Sequence, residues 1–208
     1  MKRLTEVGLR EGTDKANYHG YTEFYDDIFK QYTSPRILEI GIAGGDSIRM
    51  YYEYFNEPYV VAMDTNAVGP IGSCKIVKGD QANIEDLQRC VEGEEPFDII
   101  VDDGGHQMHQ QQITFGTLFK HVKSGGYYIL EDIHSSFRDY LLYPTVPIEY
   151  DRTTYDMLRM IEQKQLGFSN FIDIETQQYI LDNIDTMEFW TRIPNDFYDS
   201  ATCVMKIK

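Results

Sequence analysis

Eleven residues, Ile37-Leu38-Glu39-Ile40-Gly41-Ile42-Ala43-Gly44-Gly45-Asp46-Ser47, constrain this chain more than any others. An apolar run holding one acidic residue breaks into glycines, after which Ile48, Tyr51, Tyr52 and Phe55 return at helical spacing. That order reads as strand, tight turn and helix. Glycines at such a turn let the backbone approach a ligand closely, and the free N–H groups at the helix start favour an anionic or carboxylate group. A small polar ligand is expected here. A dinucleotide turn would need G-x-G-x-x-G, but counting from Gly41 the other two glycine places hold Ala43 and Asp46.

What the stretch resembles instead is the first motif of class I S-adenosylmethionine-dependent methyltransferases, acidic-x-Gly-x-x-x-Gly, matched by Glu39, Gly41 and Gly45. The resemblance implies cofactor contacts from Glu39, Gly41, Gly45 and Ser47. A glycine-rich turn in some other α/β protein is the competing reading.

With 208 residues the chain is expected to form a single domain able to bury a sizeable core. A net charge of -15, from 19 Lys and Arg against 34 Asp and Glu, argues against a nucleic-acid or membrane-surface partner, since either needs a basic face. Cys74, Cys90 and Cys203 are far apart and form no C-x-x-C, so reduced thiols are expected rather than a disulfide framework or zinc knuckle. Neither an apolar stretch after Met1-Lys2-Arg3 nor an 18-residue apolar run is present, and the expectation is a soluble cytoplasmic protein.

Residues 1–34 read as an N-terminal helical segment. Tyr21, Phe24, Tyr25, Ile28 and Phe29 have helical spacing with Thr22 available as a cap, and this segment either packs on the sheet or forms a lid over the cofactor pocket. Residues 35–134 read as the core. Tyr59 to Met63 form a second strand ending in Asp64, which lies 23 residues beyond Gly41, close to the spacing at which a carboxylate meets a ribose diol. Lys75 to Lys78 form a third strand. Resemblance to the methyltransferase class makes Asp80 and Gln81, just after it, candidates for reading the adenine edge, with a polar turn as the alternative. Ile84 to Val91 form a helix capped by Asn83, Phe97 to Val101 a fourth strand, Met108 to Val122 a helix, and Ser124-Gly125-Gly126 a turn before a fifth strand, Tyr127 to Leu130.

Residues 135–183 are less regular, with Pro144 and Pro147 in a loop and a helix around Thr154 to Gln165, and read as an acceptor-side insertion. Residues 184–208 read as C-terminal strands. Together these predict an α/β, doubly wound, mostly parallel seven-stranded sheet with an antiparallel C-terminal edge pair.

The fourth and fifth strands end in Asp102-Asp103-x-x-His106 and Glu131-Asp132-x-His134. If they are neighbours, several carboxylates converge at one rim and repel one another. A divalent cation is the natural compensation, and hard carboxylate ligands favour Mg²⁺ or a similar ion. The alternative is one acid per strand end capping a helix or binding cofactor, the role considered for Asp102.

Here the resemblance narrows. D-D-G-x-H at Asp102 to His106, the run Gln110-Gln111-Gln112-Ile113-Thr114-Phe115, and Gly125-Gly126-Tyr127-Tyr128-Ile129-Leu130-Glu131-Asp132-Ile133-His134-Ser135-Ser136 resemble the metal-dependent O-methyltransferases that modify sugar hydroxyls of macrolides and other glycosylated natural products, and relatives in polysaccharide gene clusters. Thr13-Asp14-Lys15, His19 and Tyr21 fit the same family. The chain departs from it at Gly105, commonly Ser, and at Met50-Tyr51, where an apolar residue is commonly followed by Trp; these 208 residues do not include the auxiliary N-terminal domain of the macrolide enzymes. The resemblance implies S-adenosylmethionine as cofactor, Mg²⁺ on Asp103, Glu131 and Asp132, and His106 as general base, with a small-molecule or glycan acceptor. His109 and His121 read as structural, and so does His134. A methyltransferase for a catechol or a nitrogen, or a nucleotide-sugar or dinucleotide enzyme, are the competing activities. The residues are compatible with a homo-oligomer.

Overall fold

The structure, a computed structural model, describes residues 3–66, 68–136, 152–192 and 200–208. Seven strands form a single sheet: β1 (Arg36–Ile40), β2 (Tyr59–Asp64), β3 (Lys75–Lys78), β4 (Phe97–Asp102), β5 (Val122–Leu130), β6 (Ile184–Arg192) and β7 (Ser200–Ile207), in the order β3-β2-β1-β4-β5-β7-β6. The first five are parallel. β7 runs antiparallel to both β5 and β6, so the expected fold class holds.

Helices cover both faces. α1 (Arg3–Glu11), α2 (Asp14–Asn17), α3 (Tyr21–Phe29) and α4 (Asp46–Tyr54) precede or follow β1; α5 (Ile84–Val91) and α6 (Met108–Leu118) flank β4; α7 (Thr154–Glu162) and α8 (Ile174–Asn183) lead to β6. The strands alternate between two cores, as a period of two requires. Leu38, Ile40 and Ile100 pack with Leu87, Phe115, Met157 and Ile180. On the other face Ile37, Ile99 and Val101 pack with Leu4, Tyr21, Tyr25 and Met50.

From β1 the chain runs outward to β2 and β3, then crosses back to β4 on the other side of β1. The carboxyl ends of β1 and β4 therefore diverge into a crevice, the switch point at which sheets of this kind bind ligands.

Several local expectations are corrected. Thr22 is no cap: α3 begins after Gly20 in the left-handed region, and the buried Thr22 hydroxyl donates to Thr5 Oγ1 instead. Ser124-Gly125-Gly126 lie inside β5, which starts at Val122, and α6 stops at Leu118, followed by a 3₁₀ turn over Phe119–His121. α7 ends at Glu162 rather than near Gln165. Within the stretch read as irregular, α8 is a full helix, capped by Asp173 accepting from Thr176 N. The Pro144 and Pro147 loop lies outside the described residues. Asn83 does cap α5, accepting from Glu85 N at 2.9 Å.

Candidate active site

At the crevice the β1–α4 turn is built on Gly41, whose φ is +91° and whose missing side chain leaves room for the Asp103 carbonyl. A Cβ there would overlap that oxygen, so the approach of the β1 and β4 ends requires glycine. Asp64 holds the turn from β2: Oδ2 accepts from Ile42 N at 2.9 Å and Ala43 N at 3.3 Å, and Oδ1 from Asn66 N at 2.7 Å. Burial pushes this carboxyl up, but the backbone donors outweigh it and keep it below the ordinary range.

A cavity of about 440 Å³ opens over the turn. Its walls are Gly12–Lys15, Ile40–Gly44, Asp64–Asn66 and Asp103–Gly105, with Ser47, Gly79, Gln81 and Gln110. Of the expected cofactor residues, Gly41, Ser47, Asp64 and Gln81 line it. Glu39, Gly45, Asp80 and Asp102 do not, each for a visible reason. Glu39 is buried and accepts from Ser47 Oγ at 2.8 Å. Gly45 is the residue before α4. Asp80 turns to accept from Ala82 N at 2.8 Å. Asp102 is buried among Gln81 Nε2 at 3.1 Å and Tyr128 Oη at 3.4 Å, and burial first, then Asp103, push its carboxyl to about 8. The Gln81 amide is itself occupied, donating also to Thr114 Oγ1 and accepting from Gly105 N. It fixes the β4–α6 loop from inside.

Behind the cavity a single ammonium gathers the acids of three strands. Lys15 Nζ lies 2.9 Å from Glu131 Oε2 and 3.5 Å from Glu39 Oε1, and also bonds Asp103 Oδ2. Lys15 is only 1% exposed. Burial works against its charge, but Asp103, Glu131 and Glu39 outweigh burial and hold it well above the usual lysine value. Burial pushes the Asp103 and Glu131 carboxyls up, and Lys15 is the strongest influence pulling both back. Thr13-Asp14-Lys15 enters the sequence reading only as part of a resemblance, with no role attached. Its partners stand 88 and 116 residues away, so no local pattern reveals them.

In front, Asp103, His106 and Asp132 form a group whose ligand atoms all lie within 4.8 Å of one another. His106 Nε2 is 3.3 Å from Asp132 Oδ2. Tyr21 Oη donates to Asp132 Oδ1 at 2.7 Å, and His19 and His134 each approach that oxygen to 3.8 Å. These imidazoles offset the burial of Asp132 and keep its carboxyl below the ordinary range. His106 and Asp132 both have φ near +55°, at +56° and +54°, a left-handed conformation uncommon for residues with a side chain and concentrated at functional sites.

Two carboxylates and an imidazole suit a hard or borderline divalent cation and would leave half of an octahedral shell for water or substrate oxygens. Glu131 is not in this group, and Lys15 takes one of its oxygens as it does one of Asp103's. The other Glu131 oxygen, Oε1, is buried without a hydrogen-bond partner among the described residues, an orphaned acceptor beside the acids that Lys15 gathers. The donor set therefore fits a metal.

No family model matches the chain. It is 33% identical over 146 residues to mycinamicin VI 2''-O-methyltransferase of Micromonospora griseorubida, over 64% of this chain and 37% of that one. It is 32% identical over the same length to 8-demethyl-8-(2-methoxy-alpha-L-rhamnosyl)-tetracenomycin-C 3'-O-methyltransferase of Streptomyces olivaceus. The chain thus spans less than two fifths of the length of these curated relatives, at 37% of each. Among solved structures it superposes on the MycE methyltransferase of the mycinamycin pathway, in complex with Mg, S-adenosylhomocysteine and mycinamycin VI, with a TM-score of 0.78, 25% identity and coverage of 99% of this chain and 55% of that one. Its homologues are sugar O-methyltransferases, and its fold is that of class I S-adenosylmethionine-dependent methyltransferases.

Proposed function

We propose, for a chain with this fold and these homologues, an S-adenosylmethionine-dependent O-methyltransferase that acts on a sugar hydroxyl with the help of Mg²⁺ or a similar cation. The observation that carries the proposal is the double position of Asp103, which lines the cavity over the glycine turn and also belongs to the metal-capable group. A methyl donor in the cavity and an acceptor oxygen at the group would be neighbours, and proximity of that kind is worth several orders of magnitude in rate.

Asp103 and Asp132 would hold the cation, with Glu131 behind them, and His106 beside them would stay off the metal as the base. When bound, the cation supplies Lewis acidity that makes a sugar hydroxyl easier to deprotonate. Asp64, at the rim of the cavity, keeps free acceptor capacity toward a ribose diol, and Gly41–Gly44 line the same space. His106 is the general base: its half-buried ring exchanges a proton at Nε2, and the Asp132 carboxylate 3.3 Å away stabilises the imidazolium that results. Gly12–Lys15 form one wall of the cavity. The acceptor is a small molecule or glycan, as the names of the relatives suggest.

Calorimetric titration with S-adenosylhomocysteine, with and without Mg²⁺ and beside an NAD control, tests the cofactor. Transfer of a labelled methyl group to a panel of sugar, catechol and amine acceptors tests the reaction. Binding of S-adenosylhomocysteine and chelator-sensitive labelling of a sugar are expected; NAD binding, or labelling that survives chelation, would overturn the respective half of the proposal.

A further inference from the structure

We infer that Lys15 is a positioning residue: seated among Glu39, Asp103 and Glu131, its ammonium pins the wall formed by residues 12–15 against the cavity and thereby sets affinity for the cofactor. The inference rests on the reading of that cavity as the S-adenosylmethionine site.

A four-residue helix has no stability of its own, so something outside α2 must hold it. Apolar packing does little of this, because α2 buries only Lys15 and Ala16. A lysine is among the residues least often fully buried, and its burial is tolerated only when it is paired. Here the pairing is threefold, and the three carboxylates come from β1 and from the residues that follow β4 and β5. The socket therefore belongs to the rigid sheet, and the plug to a short segment whose Gly12, Thr13 and Asp14 face the cavity. Withdrawing the plug would release the wall while leaving the glycine turn and Asp64 in place.

Lys15→Met alone would strand several buried carboxylates and risks unfolding the chain. The test therefore uses Lys15→Met combined with Glu131→Gln, which removes one charge of each sign, beside Glu131→Gln alone, in which Glu39 and Asp103 still hold the ammonium. S-adenosylhomocysteine affinity is measured calorimetrically without metal, so that any contact of Glu131 with a cation does not enter, and backbone amide exchange is followed by mass spectrometry. Expected is a loss of affinity of about tenfold or more in the double variant and less than about threefold in Glu131→Gln. Exchange should quicken over residues 12–18 while β1 and β4 stay as protected as in the wild type, a local signature that general destabilisation would not produce. A double variant that binds within threefold of the wild type, or exchange that quickens throughout the sheet, would overturn the inference. If the wild type itself does not bind S-adenosylhomocysteine, the cofactor reading falls, and the exchange pattern alone decides whether Lys15 pins the segment.

Discussion

Gly41 and Asp103 show how one residue's geometry sets another's chemistry. Because Gly41 has no side chain, the Asp103 backbone closes on it, and the Asp103 carboxylate is presented to both the cavity and the metal-capable group. Gly41→Ala would combine a strained φ with overlap of a backbone oxygen, and we expect a loss of about 3 kcal/mol or more in urea unfolding. A loss under about 1 kcal/mol would mean that the two strand ends can part. Asp103→Ala is expected to abolish metal-dependent methyl transfer while S-adenosylhomocysteine binding, followed by calorimetry, persists; normal turnover in that variant would remove the metal from the site. Glu39 carries a pH dependence. Burial, opposed by Lys15, raises its carboxyl to about 7 from an ordinary 4.5, so its neutral form stabilises the fold below about pH 4.5 and that contribution is lost as pH rises to about 7. Glu39→Gln keeps the neutral shape, so its stability relative to the wild type should climb across this window by up to about 3 kcal/mol, measured as unfolding free energy against pH. An unchanged difference would show that Glu39 is ionised throughout.

At the scale of elements, the loop between α7 and α8 is organised by one side chain. Gln177, 1% exposed, accepts from Gly167 N at 2.8 Å and Phe168 N at 3.0 Å and donates to Ser169 O at 2.7 Å and Ile172 O at 2.6 Å. Gln177→Ala would leave those groups without partners, and we expect about 3 kcal/mol of destabilisation in urea titration; a neutral result would mean that water replaces the amide. The same residue explains why α8 escapes a reading of the sequence. Its buried face is Gln177, Ile180 and Leu181, so a polar residue occupies a core position and breaks the apolar period. The five parallel strands were legible because each is a short apolar run ending in polar residues. The start of β5 was not, since Ser124-Gly125-Gly126 has the composition of a turn and sits at an irregularity between the pairs Phe97 with Val122 and Ile99 with Tyr127, so that only the pairing on either side of it makes one strand. In the candidate site the carboxylates and His106 could be read from strand ends, whereas the Lys15 socket depends on contacts between distant parts of the chain.

For the molecule as a whole, the three cysteines report on the integrity of separate regions. Burial pushes the Cys74 and Cys90 thiols to about 12 and the Cys203 thiol up as well. At pH 8 the native protein should react with iodoacetamide about three orders of magnitude more slowly than a free thiol, and all three sites should label once urea unfolds it. Rapid native labelling of Cys90 would place the α5 face in solvent. Among the described residues no helix is long and apolar enough to cross a membrane. The sheet order has a consequence for synthesis. β7 lies between β5 and β6, yet both of these leave the ribosome before it. Until β7 emerges, β5 keeps an open edge and, among the described strands, β6 has no neighbour, so a nascent chain already able to form the parallel half must hold unpaired edges open. Completion of the sheet is a late, long-range event, and the interval before it is when the chain is most exposed to pairing with another copy or to capture by a chaperone.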